Sequence, residues 1–158
     1  MATSSFSEHC RAGDEYARRL REALDSPVAV LSAFVGDRQL FLGTAGLPER
    51  LQGVREMPAL EGFCKYVWEN GCQLVVDDTQ VETGIATHPL VVELGVRAYA
   101  GWHIVGLDGQ PVGVLAAMEC HPREWSSTEL LTLLELAQEC GPTVRAVVAD
   151  CARTDRSA

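Results

Sequence analysis

The chain has 158 residues and a mass of 17.1 kDa, with 47% hydrophobic and 22% charged residues, which suits one domain burying about two-thirds of its unfolded surface and excludes wholesale disorder. A formal net charge of -9, a pI near 4.8 and a single lysine, Lys65, argue against a nucleic-acid partner, which needs clustered Lys and Arg. No apolar run approaches the roughly 20 residues of a membrane span and the start, MATSSFSEHC, lacks a leader's order, so a cytoplasmic protein away from membranes is expected, its six cysteines free thiols.

Ser5-Phe6-Ser7-Glu8 has capping-box spacing, and Tyr16, Leu20, Ala23 and Leu24 recur at helical intervals, so a first helix is predicted over about 6–25, ended by Pro27. Val28 to Val35 and Gln39 to Thr44, joined at Gly36-Asp37, read as a hairpin. Gly43 to Pro58 reads as a connection with a helical turn at Pro48 to Leu51. Leu60, Phe63, Cys64 and Val67 then share one face of a helix closed by Asn70-Gly71, and Leu74 to Val76 is a short buried strand.

Asp77 to Gly95 is long for a connection, a length that points to function, and a short helix is predicted at Pro89 to Leu94. Arg97 to Val105 alternates, placing Tyr99, Gly101 and His103 on one side and Ala98, Ala100, Trp102 and Ile104 on the other. Asp108-Gly109 turns into a strand over Pro111 to Met118. Ser126 to Glu129 is a second capping box, opening a helix with Leu130, Leu133, Leu134, Ala137 and Val144 on its stripe; Pro142 is a kink candidate, Cys151 the expected end, and the tail beyond it is expected to fray.

This order predicts an α+β fold: a central antiparallel sheet with the N- and C-terminal helices on one face and a pocket under the connecting segments on the other. By segment, 1–27 is the N-terminal helix, 28–140 the core, and 141–158 the end of the C-terminal helix and tail.

GLPERL, GFCKYV, GCQLVVDD, HPLVVELGVRAYAG, DGQPVGVLAAM and PREWSSTELLTLLELA, in that order between residues 46 and 137, resemble a GAF domain of the kind found in bacterial signalling proteins. The resemblance implies a PAS-like sensor fold that holds a small ligand against its sheet, dimerises through its terminal helices, and here would regulate a separate output protein. Three subfamilies are comparable residue by residue. Bilin-binding members attach the pigment through a Cys-His pair, which here is Thr87-His88, so no covalent bilin is expected. Free methionine sulfoxide reductases use a cysteine after Ile-Ala, and Ile85-Ala86 is followed by Thr87, although Cys64 matches a second cysteine of that family. The Asn-Lys-x-Phe-Asp-Glu signature of cyclic-nucleotide-binding members has no match. The cofactor is thus left unknown.

The candidate ligand-binding set is Cys64, Val76, Asp78, Ile85, His88, Leu90, Val91, Val96, Tyr99, Gly101 and His103, enclosing a closed, mostly apolar pocket; no catalytic residue is assigned. Haem or metal on His88, His103 and Cys64 is disfavoured because their spacing matches no known site; as ordinary residues, His88 would cap the Pro89 helix and His103 would be a partly exposed strand residue. Of Asp77 and Asp78, one is expected to cap its own loop. Tyr99 or Trp102, whichever faces the pocket, could grip an aromatic or heterocyclic ligand or equally be core. Cys64, Cys72 and Cys120-His121 leave open a thiol redox sensor or reductase-like enzyme, against a reading of small buried hydrophobes. A dimerisation scaffold with an empty pocket is the third alternative. Leu20, Leu24, Leu133 and Val144 are expected in the core or a dimer seam.

Overall fold

A computed structural model describes residues 2–58, 63–80 and 95–157. In chain order these form α1 (Ala2–Leu24), β1 (Val28–Val35), β2 (Arg38–Ala45), a 3-10 turn (Glu49–Leu51), β3 (Glu56–Pro58), α2 (Phe63–Asn70), β4 (Leu74–Val76), β5 (Ala98–Val105), β6 (Pro111–Glu119) and α3 (Ser127–Ser157). The strands make one antiparallel sheet in the order β3-β2-β1-β6-β5-β4. The architecture is the α+β one that the pattern predicts.

Alternation along the strands sends side chains to two separate cores. Ala29, Leu31 and Ala33 of β1, Leu40 and Leu42 of β2, Ala98, Ala100 and Ile104 of β5 and Leu115 and Ala117 of β6 meet Ala17, Leu20 and Leu24 of α1 and Leu133, Leu136, Ala137, Cys140, Val144 and Val147 of α3. Leu20, Leu24, Leu133 and Val144 are thus core residues, each at most 1% exposed. On the opposite face Val28, Val30, Phe34, Tyr99, Val114, Ala116 and Met118 pack under Phe63, Cys64 and Val67 of α2.

The α1 backbone lies directly on β2. A Cβ on Gly13 would stand 2.1 Å from the Leu42 carbonyl oxygen, and one on Gly43 would stand 2.0 Å from the Gly13 carbonyl oxygen. Only two glycines permit this approach. Asp14 fastens it, accepting from the Thr44 N–H at 3.0 Å and from both terminal nitrogens of Arg55 at 3.0 and 2.8 Å. Arg19 bonds Glu139 at 2.8 and 3.1 Å, joining α1 to α3.

Several boundaries differ from expectation. The first helix begins at Ala2, which places Ser5 inside it rather than at its cap. Glu56–Pro58, expected as connection, is an edge strand paired with Arg38 to Leu40; its Pro58 is tolerated because the far side of an edge strand needs no ladder. The last helix continues past Cys151 to Ser157 and runs through Pro142, where Gln138 and Pro142 are both exposed, so the carbonyl that proline leaves unbonded is on the water side. Leu134 is half-buried, and Leu136 is the deeper residue. Leu60 and the helix predicted at Pro89 to Leu94 lie outside the described residues. Among the described residues, no helix is long and apolar enough to cross a membrane.

Candidate functional site

The two faces of the sheet differ in chemistry. Under α1 and α3 the side chains that the sheet buries are apolar except at one end, where Glu119 of β6 is paired with Arg123. Under α2 a row of polar side chains crosses it. Gln39 and Ser32 project from neighbouring positions of β2 and β1, and the Gln39 Nε2 donates to the Ser32 Oγ at 3.0 Å, both residues being buried. Ser32 is close enough to the Cys64 thiol to lower its pKa, and the Cys64 Sγ lies 3.2 Å from the Tyr99 Oη. The row therefore runs Gln39, Ser32, Cys64, Tyr99, from β2 to β5 with α2 as its bridge.

Tyr99 occupies its place because Gly101, two residues on and on the same face, has no side chain: a Cβ there would stand 2.5 Å from the Tyr99 Oη and 2.6 Å from its ring edge. Phe63 stacks on the other side of the ring, with centroids 4.7 Å apart and planes at 21°. At the far end of α2, Trp68 stacks on Phe34 at 4.6 Å and its Nε1 donates to the Pro111 carbonyl at 3.1 Å. His103 follows Gly101 on the same face, and its buried Nδ1 has no hydrogen-bond partner, the one such side-chain atom among the described residues.

Burial sets the electrostatics of the row. It raises the Cys64 thiol to about 11 from an ordinary value of 9.0, outweighing the lowering effect of Tyr99 and Ser32. Burial also holds the Tyr99 phenol well above 10, and the adjacent Cys64 adds to this. Both groups are neutral donors and acceptors at physiological pH.

Beside this row is the stem of the segment 81–94. The Thr79 N–H donates to the Arg97 carbonyl at 2.7 Å and its Oγ1 to the Val96 carbonyl at 3.0 Å. The Asp78 Oδ1 accepts from the Gln80 N–H at 3.0 Å and from the Arg97 Nε and Nη2 at 3.2 and 3.0 Å. The Gln80 N–H chiefly, with Arg97, keeps the Asp78 carboxyl below its ordinary range. The two strands leading to the segment are thus pinned together before it begins.

Of the predicted residues, Cys64, Val76, Val96 and Tyr99 share one cluster, Gly101 makes room for it, and His103 adjoins it along β5. Asp78 serves the stem. Ile85, His88, Leu90 and Val91, with Thr87, lie outside the described residues. Tyr99 rather than Trp102 faces α2, but its ring is roofed by Phe63 and wholly buried; Trp102 packs on the terminal-helix side. Ser32, Gln39, Thr79 and Arg97 belong to the arrangement and were not singled out. Ser32 had a visible signal, as the one hydroxyl in the apolar run VAVLSAFV. The six cysteines are all free thiols; Cys120 is exposed, and beyond the end of β6 the His121 Nε2 lies 3.2 Å from the Glu119 carboxylate. No group of three or more His, Cys, Asp or Glu among the described residues could hold a metal ion.

Among solved structures, the chain is similar to the GAF domain of the Acinetobacter phosphoenolpyruvate-protein phosphotransferase, with a TM-score of 0.74 at 13% identity over 94% of this chain and 96% of that one. It is also similar to the type II free methionine-R-sulfoxide reductase of Thermoplasma acidophilum, with a TM-score of 0.73 at 12% identity over 90% and 96%. A third is the blue-light absorbing form of the PixJ GAF domain of Thermosynechococcus elongatus, with a TM-score of 0.70 at 19% identity over 98% and 94%. At such identities these likenesses show the fold alone. No curated protein matches the sequence. The GAF domain family model matches residues 11–144, from the middle of α1 through most of α3, and the chain belongs to the GAF domain family.

Proposed function

We propose that this GAF domain is a non-enzymatic sensor that binds a small molecule on the α2 face of its sheet and regulates a separate signalling protein. The observation carrying this reading is the asymmetry of the sheet. A face that served packing alone would need few polar groups, and the α1 and α3 face buries a charged one only at its edge, where Glu119 is paired with Arg123; the α2 face instead buries Gln39, Ser32, Cys64 and Tyr99 in one row across its middle. Burying polar groups is unfavourable unless each is bonded, and a few placed polar groups in an apolar lining are the usual makeup of a ligand site. The ligand lies beside the row rather than against the Tyr99 ring, which Phe63 already covers.

A reductase using Cys64 has less support. With its pKa near 11, about one thiol in ten thousand is ionised at pH 7, and the thiolate is the nucleophile. In the sensor reading the protein dimerises through its terminal helices. Leu20, Leu24, Leu133 and Val144 are occupied in the core, so the seam draws on outward residues such as Leu131, 54% exposed on α3. The outer row of α1 is a poorer choice, since Arg18 there is ion-paired to Glu15 and Glu22.

The test is thermal denaturation with and without the small-molecule fraction of the host's cell extract. The wild-type midpoint should rise by several degrees, as expected for a ligand well above its dissociation constant. The Gln39→Leu and Ser32→Ala variants should melt cooperatively and show no rise. An equal rise in these variants, or none in the wild type, would refute the proposal.

A further inference from the structure

Arg123 stands where three parts of the chain meet. Its guanidinium donates to the Leu24 carbonyl, and to the Asp25 carbonyl at 3.3 Å, at the end of α1. It also bonds the Glu119 Oε1 at 3.0 Å, at the end of β6, and the Glu129 carboxylate in the first turn of α3. Glu129 is committed elsewhere too: its Oε1 accepts the Ser126 N–H at 2.9 Å while its own N–H donates to the Ser126 Oγ at 3.1 Å, the capping box of α3. The guanidinium carbon lies 4.5 Å from the centroid of the Trp125 ring. Carbonyls at a helix C-terminus and a carboxylate at a helix N-terminus are the groups those ends leave unsatisfied or attract, so one cation joins both helices.

The same short segment is bonded to the stem. The Arg123 N–H donates to the Asp77 carbonyl at 2.9 Å, the Trp125 Nε1 to the Val76 carbonyl at 3.3 Å, and the Arg97 N–H to the Glu119 carbonyl at 2.7 Å. Asp78 and Arg97 form the clamp of that stem. Alongside, between the α1 end and residues 119–121, is an open cleft of about 530 Å³ lined by Arg21, Asp25, Pro27 and His121 among others. The end of α1 therefore borders open space at this junction, next to two of the guanidinium's partners, Asp25 and Glu119.

From this we infer that Arg123 couples the stem of the 81–94 segment to the relative placement of the α1 end and the α3 start. As regulation of the ligand site proposed above, it rests on that reading. A change at the stem moves the Asp77 carbonyl and with it the Arg123 backbone. The guanidinium, fixed to carbonyls of α1 and a carboxylate of α3, passes the displacement to both helices. Lysine cannot replace it, because a single ammonium cannot span four acceptors arranged on a planar fork.

The experiment uses no ligand, so its failure is separable from failure of the ligand reading. Amide hydrogen exchange is measured at residues 24–26 and 126–130 in four proteins: wild type, Arg97→Met, Arg123→Gln and the double variant. In the wild-type background, Arg97→Met should speed exchange at both helix ends by about five-fold or more, the low end of ordinary coupling. In the Arg123→Gln background the same change should alter exchange at residues 24–26 by less than about two-fold. Arg123→Lys, which keeps the charge, replaces Arg123→Gln should the latter lose its cooperative melt. Equal responses in both backgrounds, or no response at the helix ends of the otherwise wild-type protein, would overturn the inference.

Discussion

The Cys64 Sγ and the Tyr99 Oη lie 3.2 Å apart in a fully buried contact between α2 and β5. It is the one direct side-chain hydrogen bond described between the helix and the strand beneath it, and it makes both groups' protonation part of the fold.

The Cys64 pKa yields a pH dependence of definite sign. Folding raises it from 9.0 to about 11, so its contribution to stability is complete below pH 9 and is lost as pH rises to 11. Two pKa units at about 1.4 kcal/mol each give roughly 3 kcal/mol as an upper scale. In urea denaturation across pH 8 to 11, the stability advantage of wild type over Cys64→Ala should shrink by a sizeable part of that amount. A constant difference would show that the thiol is not held neutral by burial.

Reactivity toward alkylating agents should follow exposure. Cys120 is exposed, Cys72 and Cys151 are half-buried, and Cys10, Cys64 and Cys140 are buried; burial raises the Cys140 thiol to about 12. Mass spectrometry after brief iodoacetamide treatment should find Cys120 modified first and Cys64 and Cys140 unmodified until the protein unfolds. Mild peroxide oxidation of Cys64 in the folded protein would instead revive the redox-sensor alternative.

Two glycine substitutions should differ in kind. Gly101→Ala places a methyl against the Tyr99 side chain, whereas Gly43→Ala places one 2.0 Å from a backbone oxygen of α1. The first should cost about 1–3 kcal/mol and become nearly neutral in a Tyr99→Leu background, since the clash is with a removable ring. The second should cost more, because α1 must lift from β2. Chemical denaturation of the two single variants and the Gly101→Ala, Tyr99→Leu pair measures both.

Legibility in the sequence tracked the range of the interactions concerned. The β5 alternation that separates Tyr99 from Trp102 needs only neighbouring residues, and it was readable. So was the α3 cap, whose Ser126 and Glu129 are three positions apart. Glu56–Pro58 has no strand pattern of its own and is a strand only because β2 offers an edge. The polar row depends on register, which sets Ser32 opposite Phe41 after an irregularity at Leu31 and so brings it beside Gln39. Arg123 gave no local signal either, since Leu24 and Asp25, two of its partners, are nearly a hundred residues away.

The most direct test of the account is native mass spectrometry of the wild-type and Gln39→Leu proteins purified from the natural host. A small molecule should accompany the folded wild type, disappear under denaturing conditions, and be missing or sharply depleted in Gln39→Leu. Wild-type protein carrying no ligand, or a ligand retained equally by Gln39→Leu, would contradict the claim that the polar row of the α2 face is a binding site.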